Sequence, residues 1–297
     1  MYHRSVLLNE SMEALAIQSD GIYVDVTFGG GGHSREILKR LTTGKLIAFD
    51  QDAQAIENRI DDPRLTMVHI NFRHIRNFLR LYNALPVNGI LADLGISSCQ
   101  IDSGERGFST RFEGTLDMRM DKRQKVHAGQ IVNEYPEARL REIFRNYGEV
   151  DHPGKAAAMI VSARKDQPIE TTGELVALLK TNAGWGKEHK YMAQVFQALR
   201  IEVNQELDAL KEFLEQSVEV LETGGKLVVI SYHSLEDKLV KNFFRAGNWG
   251  GEVEKDFYGN ALVPLQVINR KPISPNEAEI TENPRARSAR LRVAKKI

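Results

Sequence analysis

Four consecutive glycines, Gly29, Gly30, Gly31 and Gly32, are followed by His33 and Ser34 and preceded by a β-branched and aromatic run at 22–28. Glycine lets a backbone approach a ligand closely and take positive φ. A turn alone does not need four of them between an apolar strand and a helix. Asp50 lies 19 residues past Gly31, where a carboxylate can accept hydrogen bonds from ribose hydroxyls; the other reading of Asp50 is a helix N-cap. Asp25 stands inside the first run, and Asp93 falls near the end of another at 87–95. The dinucleotide fingerprint G-x-G-x-x-G fails, because its sixth position is Ser34 counted from Gly29 and Arg35 counted from Gly30. The P-loop fails too, since no Gly-Lys-Ser/Thr follows the glycines. Acids around bare backbone suit a ligand with a ribose and a charged amino-acid tail but no phosphate, which describes S-adenosylmethionine.

The stretch Asp93-Leu94-Gly95-Ile96-Ser97-Ser98-Cys99-Gln100 then stands where a methyl acceptor would meet that donor. Asp93, Ser97 and Ser98 are candidate catalytic acceptors for the hydrogens of an amine; the alternative is that Asp93 only binds the cofactor and the serines only shape the loop. Asp117, Arg119 and Asp121 read as walls of a base pocket or as an ion-pair cluster at a domain junction. His233 follows a strand and reads as a substrate contact or as a satisfied structural histidine. Ser234-x-x-Asp237 has the spacing of a helix capping box. Arg285, Arg287, Arg290 and Arg292 flank the last strand and suit phosphate contacts. The acid-free stretch 73–80, with Arg73, Arg76 and Arg80, is either a solvated helix face or another such contact. Phe196 and Leu199 read as helical core. The eight histidines and one cysteine show no metal-ligand spacing, so no metal is expected.

The elements that must position these residues alternate. Strands are expected at 22–28, 45–49, 65–70 and 87–95, with helices at 34–41 (Ser34 as N-cap), 53–60 and 75–82 between them. That is the pattern of parallel βαβ units. From 126 to 221 only helices are legible, at 136–147, 155–164, 174–180 (opened by the box Thr171-x-x-Glu174) and two or more from 191. Strand character returns at 225–231, then a helix at 235–245 and strands at 263–269 and 289–294. The simplest assembly is a discontinuous sheet domain, 1–112 and 213–297, carrying an all-helical insertion, 113–212. At 297 residues, one sizeable core plus an insertion is the expected size class. With 42% hydrophobic and 27% charged residues the chain is neither disordered nor coiled-coil. Forty basic and forty acidic residues leave no global field for nucleic acid, although 270–297 carries a local excess of five positive charges, eight Lys/Arg against three Asp/Glu. No signal peptide or membrane span is legible, so a cytoplasmic location is expected.

The ordered blocks Tyr2-His3-x-Ser5-Val6-Leu7-Leu8, Gly29 to Ser34, Asp93 to Asp102, Gly104-Glu105-Arg106-Gly107-Phe108-Ser109, Leu116 to Asp121, Phe196 to Leu207, Ser231-x-His233-Ser234-Leu235-Glu236-Asp237 and Glu282 to Ser288 together closely resemble the bacterial 16S ribosomal RNA (cytosine-N4)-methyltransferases, the RsmH or MraW family. The resemblance spans residues 2 to about 294. It departs at Cys99, where the family usually has proline. It implies a class I S-adenosylmethionine-dependent, Rossmann-like α/β fold with a helical insertion. The implied reaction is methyl transfer to the exocyclic N4 of a decoding-region cytidine, with the assembled small ribosomal subunit as substrate. No covalent enzyme intermediate is needed. Cofactor contacts carry over to Gly31, Gly32, His33, Asp50, Phe72, Asp93 and Gln100, with Phe78 as rival to Phe72. Substrate contacts are expected from Asp117, Arg119, His233, Arg285 and Arg287, the arginines on ribosomal RNA. RNA C5-cytosine enzymes resemble Asp-x-Pro-Cys, with the nucleophile three residues past the acid. Cys99 is six past Asp93, so it is expected to be a small buried residue instead. A homodimer is kept as an open expectation.

Overall fold

The computed structural model describes residues 5–297; Tyr2 and His3 of the opening block lie outside the described residues. In chain order the elements are α1 (Leu8–Leu15), β1 (Ile22–Asp25), α2 (Gly32–Arg40), β2 (Lys45–Asp50), α3 (Ala53–Glu57), β3 (Leu65–His69), α4 (Ile75–Leu81) and β4 (Val87–Asp93). Then come α5 (Ser98–Asp102), α6 (Ala128–Glu134), α7 (Glu137–Gly148), α8 (Pro153–Ala163), α9 (Thr172–Leu179), α10 (Glu188–Asn204) and α11 (Glu206–Val220). The chain closes with β5 (Leu221–Ser231), α12 (Ser234–Ala246), β6 (Leu265–Val267), α13 (Glu277–Glu282) and β7 (Arg290–Lys296). Among the described residues no helix is long and apolar enough to cross a membrane.

The chain divides into two compact units, one formed by residues up to Gly95 with Leu207–Ile297, the other by Ile96–Glu206. The first holds a seven-stranded sheet in the order β3-β2-β1-β4-β5-β7-β6. β1 to β5 are parallel, and β7 runs antiparallel to both β5 and β6. This is the class I α/β arrangement. Successive side chains of a strand point to opposite faces, and both faces are covered. Val24, Ile47, Phe49, Ile90 and Val229 pack into one buried cluster. Their neighbours Tyr23, Leu46, Ala48, Leu91 and Val228 pack into another. Burial on both sides explains why the strands read as nearly continuous apolar runs.

The second unit is helical around one core that includes Ile131, Leu140, Phe144, Ile160, Leu175, Val195, Phe196 and Leu199. It starts before residue 113 because Phe108 belongs to that core and Ile96 packs against it, in company with Leu116, Met118 and Met120. It stops before 212 because Leu210, Phe213 and Leu214 of α11 pack on the sheet. Thr171 and Glu174 cap α9 reciprocally.

Two cap assignments are corrected. Ser34 does not begin α2: Gly31, at φ 74°, lets the helix start earlier, so Ser34 lies inside its first turn. Ser234 does not cap α12 either; the cap is the His233 ring, which accepts from the Glu236 amide. Asp237, the other half of the expected box, instead holds Arg292 at 2.7 and 3.0 Å and Arg290 at 3.1 Å.

In the second unit, buried Asn204 ties the loop at 118–120 to α10. Its Oδ1 accepts from the Met120 amide (2.8 Å), and its Nδ2 donates to the carbonyls of Met118 (2.8 Å) and Arg200 (2.9 Å). Asn204→Ala leaves a buried N–H and C=O unpaired. It should lower unfolding free energy by about 2–4 kcal/mol in urea denaturation.

Candidate functional site

Within the first unit, the turn between β1 and α2 is shaped by glycine. A Cβ on Gly31 would sit 2.7 Å from the Phe28 ring, and one on Gly32 would sit 2.0 Å from Ser5 Oγ. At Gly30 a Cβ would meet nothing within 4 Å. The loop is therefore packed against protein at Gly31 and Gly32, and open at Gly30.

Three carboxylates close the adjacent strands β2, β1 and β4. Asp25 is buried; Ser34 Oγ donates to it at 2.6 Å and the Thr27 amide at 3.1 Å. Asp50 accepts from the Gly29 amide (2.8 Å) and the Asp52 amide (2.8 Å). The helix-cap reading of Asp50 falls to Asp52, whose side chain caps α3 by accepting from Gln54. Asp93 accepts from the Tyr232 hydroxyl at 2.8 Å, and its own amide donates to Thr27 Oγ1 at 2.7 Å. Burial pushes Asp25 and Asp50 up to about 6 and Asp93 up to about 7; Asp25 adds repulsion to both Asp50 and Asp93. His33 is buried, and its Nε2 lies 3.1 Å from the Val6 carbonyl. A carbonyl only accepts, so Nε2 carries the proton and Nδ1 keeps its lone pair. Burial lowers the ring to about 4, leaving it neutral. Nδ1 faces Asp93 Oδ2 at 3.8 Å. When Asp93 is ionised, its Oδ2 and His33 Nδ1 are two acceptors without a donor between them, which favours a ligand bearing N–H groups and positive charge. S-adenosylmethionine, with its ammonium, sulfonium and ribose hydroxyls, fits that donor set.

Phe72 follows β3 in a short turn, half-exposed, its ring edge-on to Phe213 at 5.3 Å. The rival Phe78 lies within α4 and packs against Phe49. His233 and Tyr232 follow β5. The register Ser231↔Arg290 brings the start of β7, and the turn 284–288 bearing Arg285 and exposed Arg287, to that same end of the sheet. Arg292 is removed from the phosphate candidates, being buried against Asp237. In the stretch 73–80, Arg73 is paired with Glu212 and Arg76 with Glu219.

In the second unit, Ser97 and Gln100 cap α5 reciprocally. Ser97 Oγ accepts from the Gln100 amide (3.3 Å), and Gln100 Oε1 from the Ser97 amide (3.0 Å). Ser98 is the first residue of that helix; its side chain lies outside the described ones. Cys99 is exposed, not buried as expected. Arg119 forks onto Asp117 at 2.6 and 3.1 Å and also donates to the Gln124 carbonyl at 2.8 Å. Thr27, Ser34 and Tyr232 were missed as supports of the site. Tyr232 directly follows β5, the strand-end position it shares with the other candidates.

The sequence profile of the MraW methylase family matches residues 1–297. A Christiangramia forsetii protein called "Ribosomal RNA small subunit methyltransferase H" is 54% identical over 297 residues, covering 100% of this chain and 98% of its own. Proteins of the same name from Bacteroides fragilis and Cytophaga hutchinsonii are each 55% identical. They cover 99% and 100% of this chain, and 97% and 100% of their own.

The raised carboxylates give a signed pH dependence. A folded-state value above the ordinary carboxylate range of ~4 contributes stability at low pH that is lost as pH rises through 6 to 7. His33 acts oppositely, adding stability as pH rises from about 4 to its unfolded value of 6.5. Three carboxylates outweigh one imidazole. The ligand-free protein should lose about 1–3 kcal/mol between about pH 5 and about pH 7 in urea titrations. Asp93→Asn keeps an acceptor for Tyr232 but drops the charge. It should flatten that loss and be the more stable form above about pH 7; an unchanged slope would acquit Asp93.

Proposed function

The chain belongs to the MraW methylase family, and on that premise we propose that it methylates the exocyclic N4 of a cytidine in the decoding region of 16S ribosomal RNA, with the assembled small subunit as substrate. At the coarser level it is an S-adenosylmethionine-dependent ribosomal RNA methyltransferase. The observation that carries the cofactor half is the acceptor set Asp50, Asp93 and His33 Nδ1 beside an open glycine turn in one unit.

When bound, S-adenosylmethionine supplies an electrophilic methyl group on a sulfonium. The protein's own task is positioning and electrostatics. The N4 lone pair of cytosine is delocalised into the ring, and acceptors on its two hydrogens localise it and aim it for in-line displacement. Asp93 is the charged candidate for that role. Ser97 and Ser98 are the neutral ones, through hydroxyl or backbone carbonyl. Gly31, Gly32, His33, Asp50, Phe72 and Gln100 are assigned to the cofactor. Asp117, Arg119 and His233 are assigned to the nucleotide, although the Arg119 fork is already engaged by Asp117. Arg285 and Arg287 are assigned to RNA phosphate. A target base must be unpaired or flipped to be reached. Zero net charge favours weak binding of bare RNA with a modest salt slope.

Small subunits lacking the modification, incubated with the protein and methyl-labelled cofactor, should yield label in N4-methylcytidine at one decoding-region position. Label in 5-methylcytidine would overturn the reading. Asp93→Asn should lower the rate at least about a hundredfold while remaining folded. Cys99→Ser should retain full rate, because an in-line displacement uses no thiol; loss of activity would revive a covalent route through Cys99.

A further inference from the structure

A carboxylate at a strand end turns about its side-chain bonds unless something holds it. Among the described residues Tyr232 alone donates a side-chain hydrogen bond to Asp93, from its hydroxyl to Oδ1 at 2.8 Å. The Tyr232 ring is itself placed from several sides. β4 and β5 pair with Asp93 opposite Ile230, so Tyr232 leaves the strand two residues beyond. Its amide donates to Glu236 Oε2 at 3.0 Å. Gly95, at φ 96°, passes beside the ring, and a Cβ there would lie 3.5 Å from Tyr232 Cδ2. Asp93 Oδ2 receives nothing comparable, because the His33 nitrogen 3.8 Å away presents a lone pair.

We infer that Tyr232 is a positioning residue: its hydroxyl fixes the Asp93 carboxylate so that Oδ1 is committed to the protein and Oδ2 is presented to the ligand's donor groups. This rests on the reading of Asp93 as a cofactor contact. The ionisable groups around that carboxylate are His33 on α2, Asp25 on β1, and Tyr232 and Glu236 at the β5–α12 junction. Burial, Asp25 and Glu236 all favour the protonated acid, whereas the Tyr232 bond favours the carboxylate. The phenol stays a donor throughout, since burial and the negative charge of Asp93, Glu236 and Glu279 push its own ionisation far up. Tyr232→Phe removes one atom and leaves the ring packing in place.

The test is calorimetric titration of the full-length protein with S-adenosylhomocysteine from about pH 5.5 to about 9, with melting curves alongside. Tyr232→Phe should fold normally and bind about tenfold more weakly near neutral pH, the size of one hydrogen bond to a charged group. The acid limb of binding should move to higher pH. In an Asp93→Ala background, which leaves the hydroxyl no acceptor, the same substitution should change neither affinity nor pH profile. A Tyr232→Phe protein with the parent's affinity and acid limb overturns the inference. So does an equal loss in the Asp93→Ala background, which would make the ring a general packing element. Failure of the unaltered protein to bind at any pH would instead sink the cofactor reading, and this inference with it.

Discussion

Three carboxylates at the ends of three adjacent parallel strands repel one another, and the first unit is arranged around holding them there. Each has its own local support: Ser34 and the Thr27 amide for Asp25, the Gly29 and Asp52 amides for Asp50, and Tyr232 for Asp93. These supports come from the segment after β1, the segment after β2 and the end of β5, so the constraint reaches across the sheet. Repulsion of this kind is tolerated because the strands behind it are buried on both faces. A close-packed core lets a few unfavourable contacts persist at one end.

The glycine turn belongs to the same constraint. Asp50 can take the Gly29 amide only if the chain between β1 and α2 presents its N–H groups toward β2, and positive φ at Gly29 and Gly31 makes that path available. The turn therefore supports a carboxylate as well as leaving room at Gly30. The N-terminal segment is part of the arrangement, since the Val6 carbonyl fixes the His33 tautomer.

The sheet and the acids were legible in the sequence because a strand buried on both faces writes itself as an apolar run, and residues following such a run fall at one end of a parallel sheet. The supports were less legible because they depend on which of several local partners wins. Ser34 looks like a cap but gives its hydroxyl to Asp25, and Asp237 looks like half a capping box but pairs with Arg292, 55 positions later. Helix α1 gave no polar cap signal at all: its N-cap is Leu7 in a left-handed conformation, with its amide donating to Glu279 from α13. Cys99 was read as buried on residue type, whereas the short helix α5 turns it outward. In the second unit, Asp117 and Arg119 are two residues apart and close on each other, a pairing that sequence spacing alone leaves undecided.

The electrostatics and the failed nucleotide motifs lead to one conclusion by separate routes. A phosphate-bearing nucleotide would bring negative charge to acceptors that already resist ionisation. A ligand with an ammonium and a sulfonium would relieve them. The energy that raised carboxylates withhold from the ligand-free fold would return on arrival of positive charge, so under the proposed cofactor reading affinity and selectivity share one source. For that return to be full, Asp93 must be ionised when the ligand enters, although burial favours its proton. A neutral donor favours the carboxylate without adding charge that would compete with the ligand. A lysine or arginine at position 232 would lower the Asp93 value further, but it would also satisfy the carboxylate outright. A phenol supplies one bond that opposes the effect of burial and leaves the other oxygen without a side-chain donor among the described residues.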